Sequence, residues 1–274
     1  MRAETSDERP VTGDTDAARP AGQAEVPLFT PTGQVVRHWR EWAIPRKASR
    51  WRPGKSAMEL ARAWFTSPAP LVPPEMRALL ESHPLTLGLT IESGHAEFLT
   101  ELPGVPEGRA HGLLLRGTGE SGAVTIGVEA MADETFGARL TKKLRQAAEV
   151  DPESDFADRA SGLLRFLFGG DPDLTVEPWS RLRWRLVTGA AATAIQAAQD
   201  GAPVAVFAVH EFRNAMVDPV TEAENLEDLN AFASLLGEGL GPLEPGKLAG
   251  PVRMASPLVG ESPVELLVGW ALSE

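Results

Sequence analysis

Side chains that could act as nucleophiles, bases or metal ligands are sparse in this chain and widely separated. It has no cysteine and five scattered histidines. That removes thiolate catalysis, iron–sulfur clusters and cysteine zinc sites, and it fits a reducing compartment. His210-Glu211 has no second histidine at helical spacing, so the zinc-protease pattern is missing. Beside an apolar run, His210 reads as a hydrogen-bonded strand-end residue. No Walker phosphate loop and no G-x-S-x-G elbow occurs. Among the acids, Glu59 follows Ser56 at capping-box spacing, and Asp133-Glu134 suits a solvated turn or the N-terminus of a following helix. Lys142 and Lys143 read as a solvated helix face.

The formal charge of -12 opposes binding to a phosphate backbone. It is unevenly spread. Between Val35 and Lys55, seven basic residues stand against Glu41 alone, so that stretch is +6 and the remainder -18. Trp39, Trp42 and Trp51 are interleaved with these charges. Such a segment can stack and contact phosphates, which makes nucleic acid a candidate partner through residues 35–55. The favoured reading is that the indole rings dock the segment onto the domain while the arginine heads stay solvated.

The elements that must position any site follow from periodicity and turn chemistry. Residues 1–25 are acidic and Pro/Gly-rich, an expected disordered tail. They contain no signal-peptide apolar stretch, and no run approaches the roughly 20 apolar residues of a membrane span, so a cytoplasmic location is expected. Residues 26–55 form the basic, Trp-rich segment and 56–274 the folded domain. A helix is predicted from Ser56, and strands over 85–91, 96–102, 112–116 and 123–131, the last two joined by the turn residues 117–122. Helical patterning covers 137–168, with a break near Asp151-Pro152, then 179–199 and 222–236. The apolar run Pro203 to His210 predicts a strand buried on both faces at the centre of the sheet. A Gly/Pro-rich loop over 237–251 and a strand over 264–272 complete the chain.

This order of helix, strand meander, helices and strand resembles the core of the PD-(D/E)xK nuclease superfamily, and several stretches resemble one bacterial branch of it. They are Trp51-Arg52-Pro53-Gly54-Lys55-Ser56 before Glu59-Leu60-Ala61, Gly127-Val128-Glu129 with Asp133-Glu134-Thr135-Phe136-Gly137, Leu182-Arg183-Trp184, and Val206 to Phe212. The resemblance implies an α/β, restriction-endonuclease-like core with a central mixed sheet flanked by helices. It further implies Mg2+-dependent phosphodiester hydrolysis by an Asp opening one strand, a Glu on the next and a Lys two residues beyond on the same face. Glu129 falls at the Glu position, as a catalytic and metal-binding candidate. Met131 falls at the Lys position, Gly112 beside His111 at the Asp position, and Arg185 at that of a helical glutamine, as the second catalytic candidate.

One carboxylate alone is a poor Mg2+ site. His111, Glu97, Glu101, Asp133 or Glu134 would have to complete it, and Arg185, Lys142 or Lys143 would have to replace the lysine. The leading expectation is therefore a nuclease-like domain that has lost metal-dependent hydrolysis and serves as a binding or regulatory module. No resident cofactor is expected on that reading. The alternatives are an active nuclease with a rearranged Mg2+ site, and a scaffold that uses the fold as a surface for a protein partner. No membrane partner is expected.

Overall fold

Strands that alternate between two apolar faces need cover on both sides, and the helices here supply it in two unequal layers. The computed structural model describes residues 24–42, 51–103, 105–213, 218–237, 240–255, 257–260 and 262–274. The expectation of a disordered tail over 1–25 lies almost wholly outside these residues, as do Arg46, Lys47 and Arg50 of the basic segment. In chain order the elements are β1 (Leu28–Phe29), α1 (Ser56–Trp64), α2 (Pro74–Glu81), β2 (Thr90–Ala96), β3 (Leu99–Leu102), β4 (Val105–Ala110), β5 (Leu113–Gly119) and β6 (Gly122–Met131). There follow α3 (Leu140–Val150), α4 (Phe156–Phe168), α5 (Trp184–Gln199), β7 (Val204–Phe212), α6 (Pro219–Leu236), β8 (Leu248–Met254) and β9 (Val264–Ser273). Seven strands form one mixed sheet in the order β1-β2-β5-β6-β7-β9-β8. β2, β5 and β6 are antiparallel neighbours, whereas β6, β7 and β9 run parallel.

Side chains on β6 divide by parity. Val124, Ile126, Val128 and Ala130 join the core under α1 and α2, with Leu60, Trp64, Met76 and Leu79. Met131 joins the core beneath α3 to α6. Each fully buried leucine or methionine contributes roughly 1.5–3 kcal/mol relative to exposure. Every residue from Leu186 to Ala197 in α5 is buried, so this helix is enclosed on all sides. Its run of alanines lets it lie close to the sheet. Every residue of β7 is buried too, as expected of a central strand. The segment before α1 takes part: Val26, Leu28, Val36 and Trp42 are buried in the same core as α1, and β1 pairs with β2.

Several expectations are corrected by local hydrogen bonding. Residues 85–89 are turn rather than strand, because the Thr86 hydroxyl donates to Leu80 O at 2.6 Å and wraps the chain around the end of α2; pairing begins only at Thr90. The predicted loop over 237–251 contains the start of β8, an edge strand with a bulge between Ala249 and Val252 that accommodates Pro251. The helix expected from Trp179 begins with a separate turn at Trp179–Arg181, and α5 starts at Trp184. Ser56 is the first residue of α1 instead of its cap, so no capping box forms; Glu59 accepts from Gly54 N–H at 2.7 Å. Gly117, Gly119 and Gly122 stand at the spacing of a dinucleotide loop, but Gly117 and Gly119 lie at the end of β5 and Gly122 opens the antiparallel β6, with no helix to receive a pyrophosphate.

The β3–β4 hairpin is an insertion between β2 and β5 that forms its own two-stranded sheet. It folds towards α5, where the Thr100 hydroxyl meets His111 Nε2 and Gln196 Oε1, each at 3.0 Å. Gln196 passes the contact on to Asp200 at 3.0 Å, and Asp200 takes a two-pronged bond from Arg116 at 2.9 and 3.0 Å. Gly127 lies beneath this chain of polar groups. A Cβ there would stand 2.2 Å from Thr193 Oγ1 and 2.8 Å from His111 Nδ1. Gly127→Ala is therefore expected to destabilise the fold by about 1–3 kcal/mol through overpacking, read as a lower urea midpoint at unchanged slope; an unaltered midpoint would contradict this packing.

Candidate functional site

At the C-terminal end of β6, the β5/β6 pairing leaves Glu129 beside the residue that precedes β5. Gly112 is that residue: a Cβ on it would lie 3.2 Å from Val128 O and 3.8 Å from Ala130 N, on either side of Glu129. Gly112 and Glu129 border one cavity of about 300 Å3, together with Ser56, Leu60 and Ala57 of α1, Leu99 of β3, and Arg109 of β4. The expected juxtaposition of Gly112 with Glu129 is present. Met131 is not part of the cavity wall. Its side chain points to the same face as Glu129 but is fully enclosed in the apolar core that includes Phe136, Leu140 and Leu186.

Glu129 is 3% exposed, and both of its oxygens are taken by guanidinium groups. Oε2 accepts from Arg109 Nη2 and Oε1 is ion-paired with Arg185 Nη2. Arg185 also donates to Ala130 O at 3.3 Å and approaches Glu134 at 4.0 Å. Glu134 in turn accepts from the Ser56 hydroxyl, and Lys55 Nζ meets Asp133 Oδ2 at 2.5 Å. A buried carboxylate held by two cations is stable only because each charge finds a partner. The arrangement ties together β6, the β3–β4 hairpin, the start of α5 and the start of α1.

A divalent cation does not fit this donor set. Mg2+ would need oxygen ligands, yet the oxygens of Glu129 face arginine. Among the described residues, no group of three or more His, Asp or Glu stands where it could hold a metal ion. Asp133 and Glu134, named above as possible supplementary ligands, pair with Lys55 and with Ser56 and Arg185. Glu97 lines the cavity, while Lys142 is exposed on α3. Arg185 is thus brought to Glu129, as expected of the two candidates, but as its counter-ion.

Two of the histidines, His111 and His210, are structural. His111 is buried against Thr100, and burial, then the charges of Arg109 and Arg116, pushes its imidazole from 6.5 down to about 3. His210 bonds Ser273 Oγ at 2.8 Å and is likewise lowered to about 3 by burial. Glu211, on the opposite face of β7, has its carboxyl raised by burial against the opposing charge of Arg213.

Arg109 and the Thr100–Gln196–Asp200–Arg116 chain escape sequence reasoning. β4 reads Val-Pro-Glu-Gly-Arg-Ala, which carries no strand signal. The available hints are Arg116 ending the apolar run Leu113 to Leu115, and Gln196 four residues before Asp200 at the end of a helix.

Fold and site together define a mixed α/β domain built around an ion-paired carboxylate at the edge of a cavity. The family model of a domain of unknown function, DUF6946, matches residues 34–274, and the chain belongs to that family. No curated protein and no solved structure matches it.

Glu129→Ala leaves two guanidinium groups, each about one-fifth exposed, without their shared anion. With allowance for that exposure, a loss of about 2–3 kcal/mol is expected in urea unfolding; a change within error would mean that the pairs carry no weight. His111 and His210, with folded values depressed from 6.5 to about 3, contribute stability that is full above pH 6.5 and lost as pH falls towards 3. At pH 5 each should cost about 2 kcal/mol. The raised carboxyls of Glu211 and Asp228 act in the opposite sense. Unfolding at pH 7.5 and 5 should therefore show acid destabilisation that His111→Gln reduces by about half; an undiminished pH dependence in that variant would contradict the assignment.

Proposed function

We propose that this chain is a restriction-endonuclease-like domain in which an Arg–Glu–Arg cluster has replaced the metal site, and that it acts as a binding or regulatory module. One observation carries the reading: the carboxylate that would hold the metal has both oxygens engaged by Arg109 and Arg185. The element order supports the kinship. α1 precedes the antiparallel β2, β5 and β6, and helices then lead to β7, which lies parallel to β6. Gly112 and Met131 stand at the positions of the missing ligand and the missing lysine.

The acidic surface and the basic segment bear on the partner. Trp39 already carries two guanidinium groups over its ring, Arg40 at 4.9 Å and Arg62 at 5.0 Å, and Trp42 is buried. These contacts support indoles that dock the segment, and they leave less open ring surface for stacking bases than a nucleic-acid platform uses.

The purified protein is expected to leave single- and double-stranded DNA and RNA intact in Mg2+ or Mn2+. Met131→Lys is expected not to restore cleavage and to destabilise the fold, because the ammonium would enter an apolar core. The fairer test, Gly112→Asp with Met131→Lys, should also stay inactive, since a Cβ at Gly112 already approaches Leu60 to 3.1 Å. Metal-dependent cleavage by the unmodified protein that disappears in Glu129→Ala would overturn the reading in favour of a rearranged nuclease.

A further inference from the structure

Arginines through most of this structure are paired with carboxylates, and one surface departs from that pattern. Among the described residues, every arginine from Arg109 to Arg253 has a carboxylate oxygen within 4.0 Å. Arg37, Arg40 and Arg52 have none, and all three are exposed. Arg77 of α2 also has none, but it is half-buried and lines a different cavity with Val26 and Ile91. The chain has 38 acidic residues for 26 lysines and arginines, so carboxylates are in excess, yet none stands beside these three cations.

The three arginines belong to one aromatic cluster. Trp39 carries the Arg40 guanidinium 4.9 Å and the Arg62 guanidinium 5.0 Å from its ring centre, and its ring lies 6.4 Å from that of Trp51. Arg37 is two residues before Trp39, and Arg52 directly follows Trp51. Indole contacts hold two of the four heads in place, so part of the side-chain freedom that binding would remove is already lost. The carboxylates bonded within this surface do not cancel its charge. Glu41 accepts from Arg37 N–H at 2.8 Å, and Glu59 accepts from Gly54 N–H at 2.7 Å and lies 3.4 Å from Arg62. Lys55 and Asp133 neutralise each other. Four guanidinium groups therefore face two carboxylates, a surplus of the same sign as the +6 carried by residues 35–55.

The rings decide which anionic polymer suits these arginines. A nucleic acid grips such a surface by stacking bases on open aromatic faces. Here Trp39 has arginine over its ring, Trp42 is 1% exposed, and Trp51 is half-buried against Trp39. A long phosphate backbone would also run past the four arginines onto a remainder charged -18. A short acidic polypeptide needs neither open rings nor a long basic track, and its carboxylates accept paired hydrogen bonds from guanidinium groups. We propose that Arg37, Arg40, Arg52 and Arg62, around Trp39, dock an acidic segment of a partner protein. None of the four lines the Glu129 cavity, so this surface adds a partner without depending on the lost metal site.

The test is fluorescence anisotropy of a fluorescein-labelled peptide alternating Glu and Ser, titrated with the full chain at low ionic strength. A saturable rise is expected that weakens as salt is added, and the same peptide with Gln in place of Glu should give none. Arg40→Gln should weaken binding about threefold, and Arg37→Gln combined with Arg40→Gln about tenfold. Both side chains are exposed, so an unchanged Tm is expected in these variants. Arg253→Gln, on edge strand β8 and 68% exposed, should leave binding unaltered. No saturation with the Glu peptide, or equal weakening by Arg253→Gln and Arg40→Gln, would overturn the proposal. So would a single-stranded oligonucleotide of equal charge that binds more tightly than the peptide, which would assign the surface to nucleic acid. A dimer of the unmodified chain that the peptide cannot dissociate and Arg40→Gln can would overturn it in favour of a second copy. None of these outcomes touches the cleavage assay, so the loss of hydrolysis stands or falls separately.

Discussion

The placement of one carboxylate constrains much of this molecule. Glu129 sits at the end of a strand paired on both sides, and a charge buried there is tolerated only if cations come to it. They come from two directions. Arg185 is fixed by the start of α5, a helix held in place by its enclosure from Leu186 to Ala197, and Arg109 by a hairpin that leaves the main sheet. The cavity exists because these elements, with α1, converge on Glu129 without filling the space between them.

The hairpin has a second anchor, and its chemistry explains features of β6 that would otherwise look arbitrary. Thr100 binds both His111 and Gln196, and Gln196 binds the same Asp200 that neutralises Arg116 and accepts from Thr125 at 2.9 Å. Buried polar groups are tolerable when each member finds a partner, and a neutral His111 can donate from Nε2 to the Thr100 hydroxyl, whose own proton goes to Gln196. The network needs room close to the sheet, which Gly127 provides. Packing and electrostatics thus act on alternate residues of one strand: Thr125, Gly127 and Glu129 face the polar side, and Val124, Ile126 and Val128 face the apolar one.

That parity was legible in the sequence, as were the central position of β7, the helix from Ser56 and the proximity of Gly112 to Glu129. The first three follow from a period-2 or period-3.6 pattern or a buried apolar run, which tertiary contacts reinforce, whereas the proximity of Gly112 to Glu129 was implied by the family resemblance. What escaped depends on contacts between distant segments. Ser56 had the spacing of a capping box, yet its hydroxyl was drawn to Glu134, 78 residues away. Arg109 lies in a Pro- and Gly-containing strand with no periodicity, so nothing local announced that it would meet a carboxylate 20 residues on. β8 was hidden for the same reason: an edge strand tolerates the proline and bulge that make it read as a loop.

Arginine and a metal ion are alternative partners for a buried carboxylate, and the account assigns Glu129 to arginine. The most direct measurement is electron paramagnetic resonance of Mn2+ titrated into the unmodified chain and into Glu129→Gln. The account predicts the same free-Mn2+ signal for both proteins at every addition, because the oxygens of Glu129 are already engaged. Stoichiometric Mn2+ binding by the unmodified chain that is lost in Glu129→Gln would contradict it.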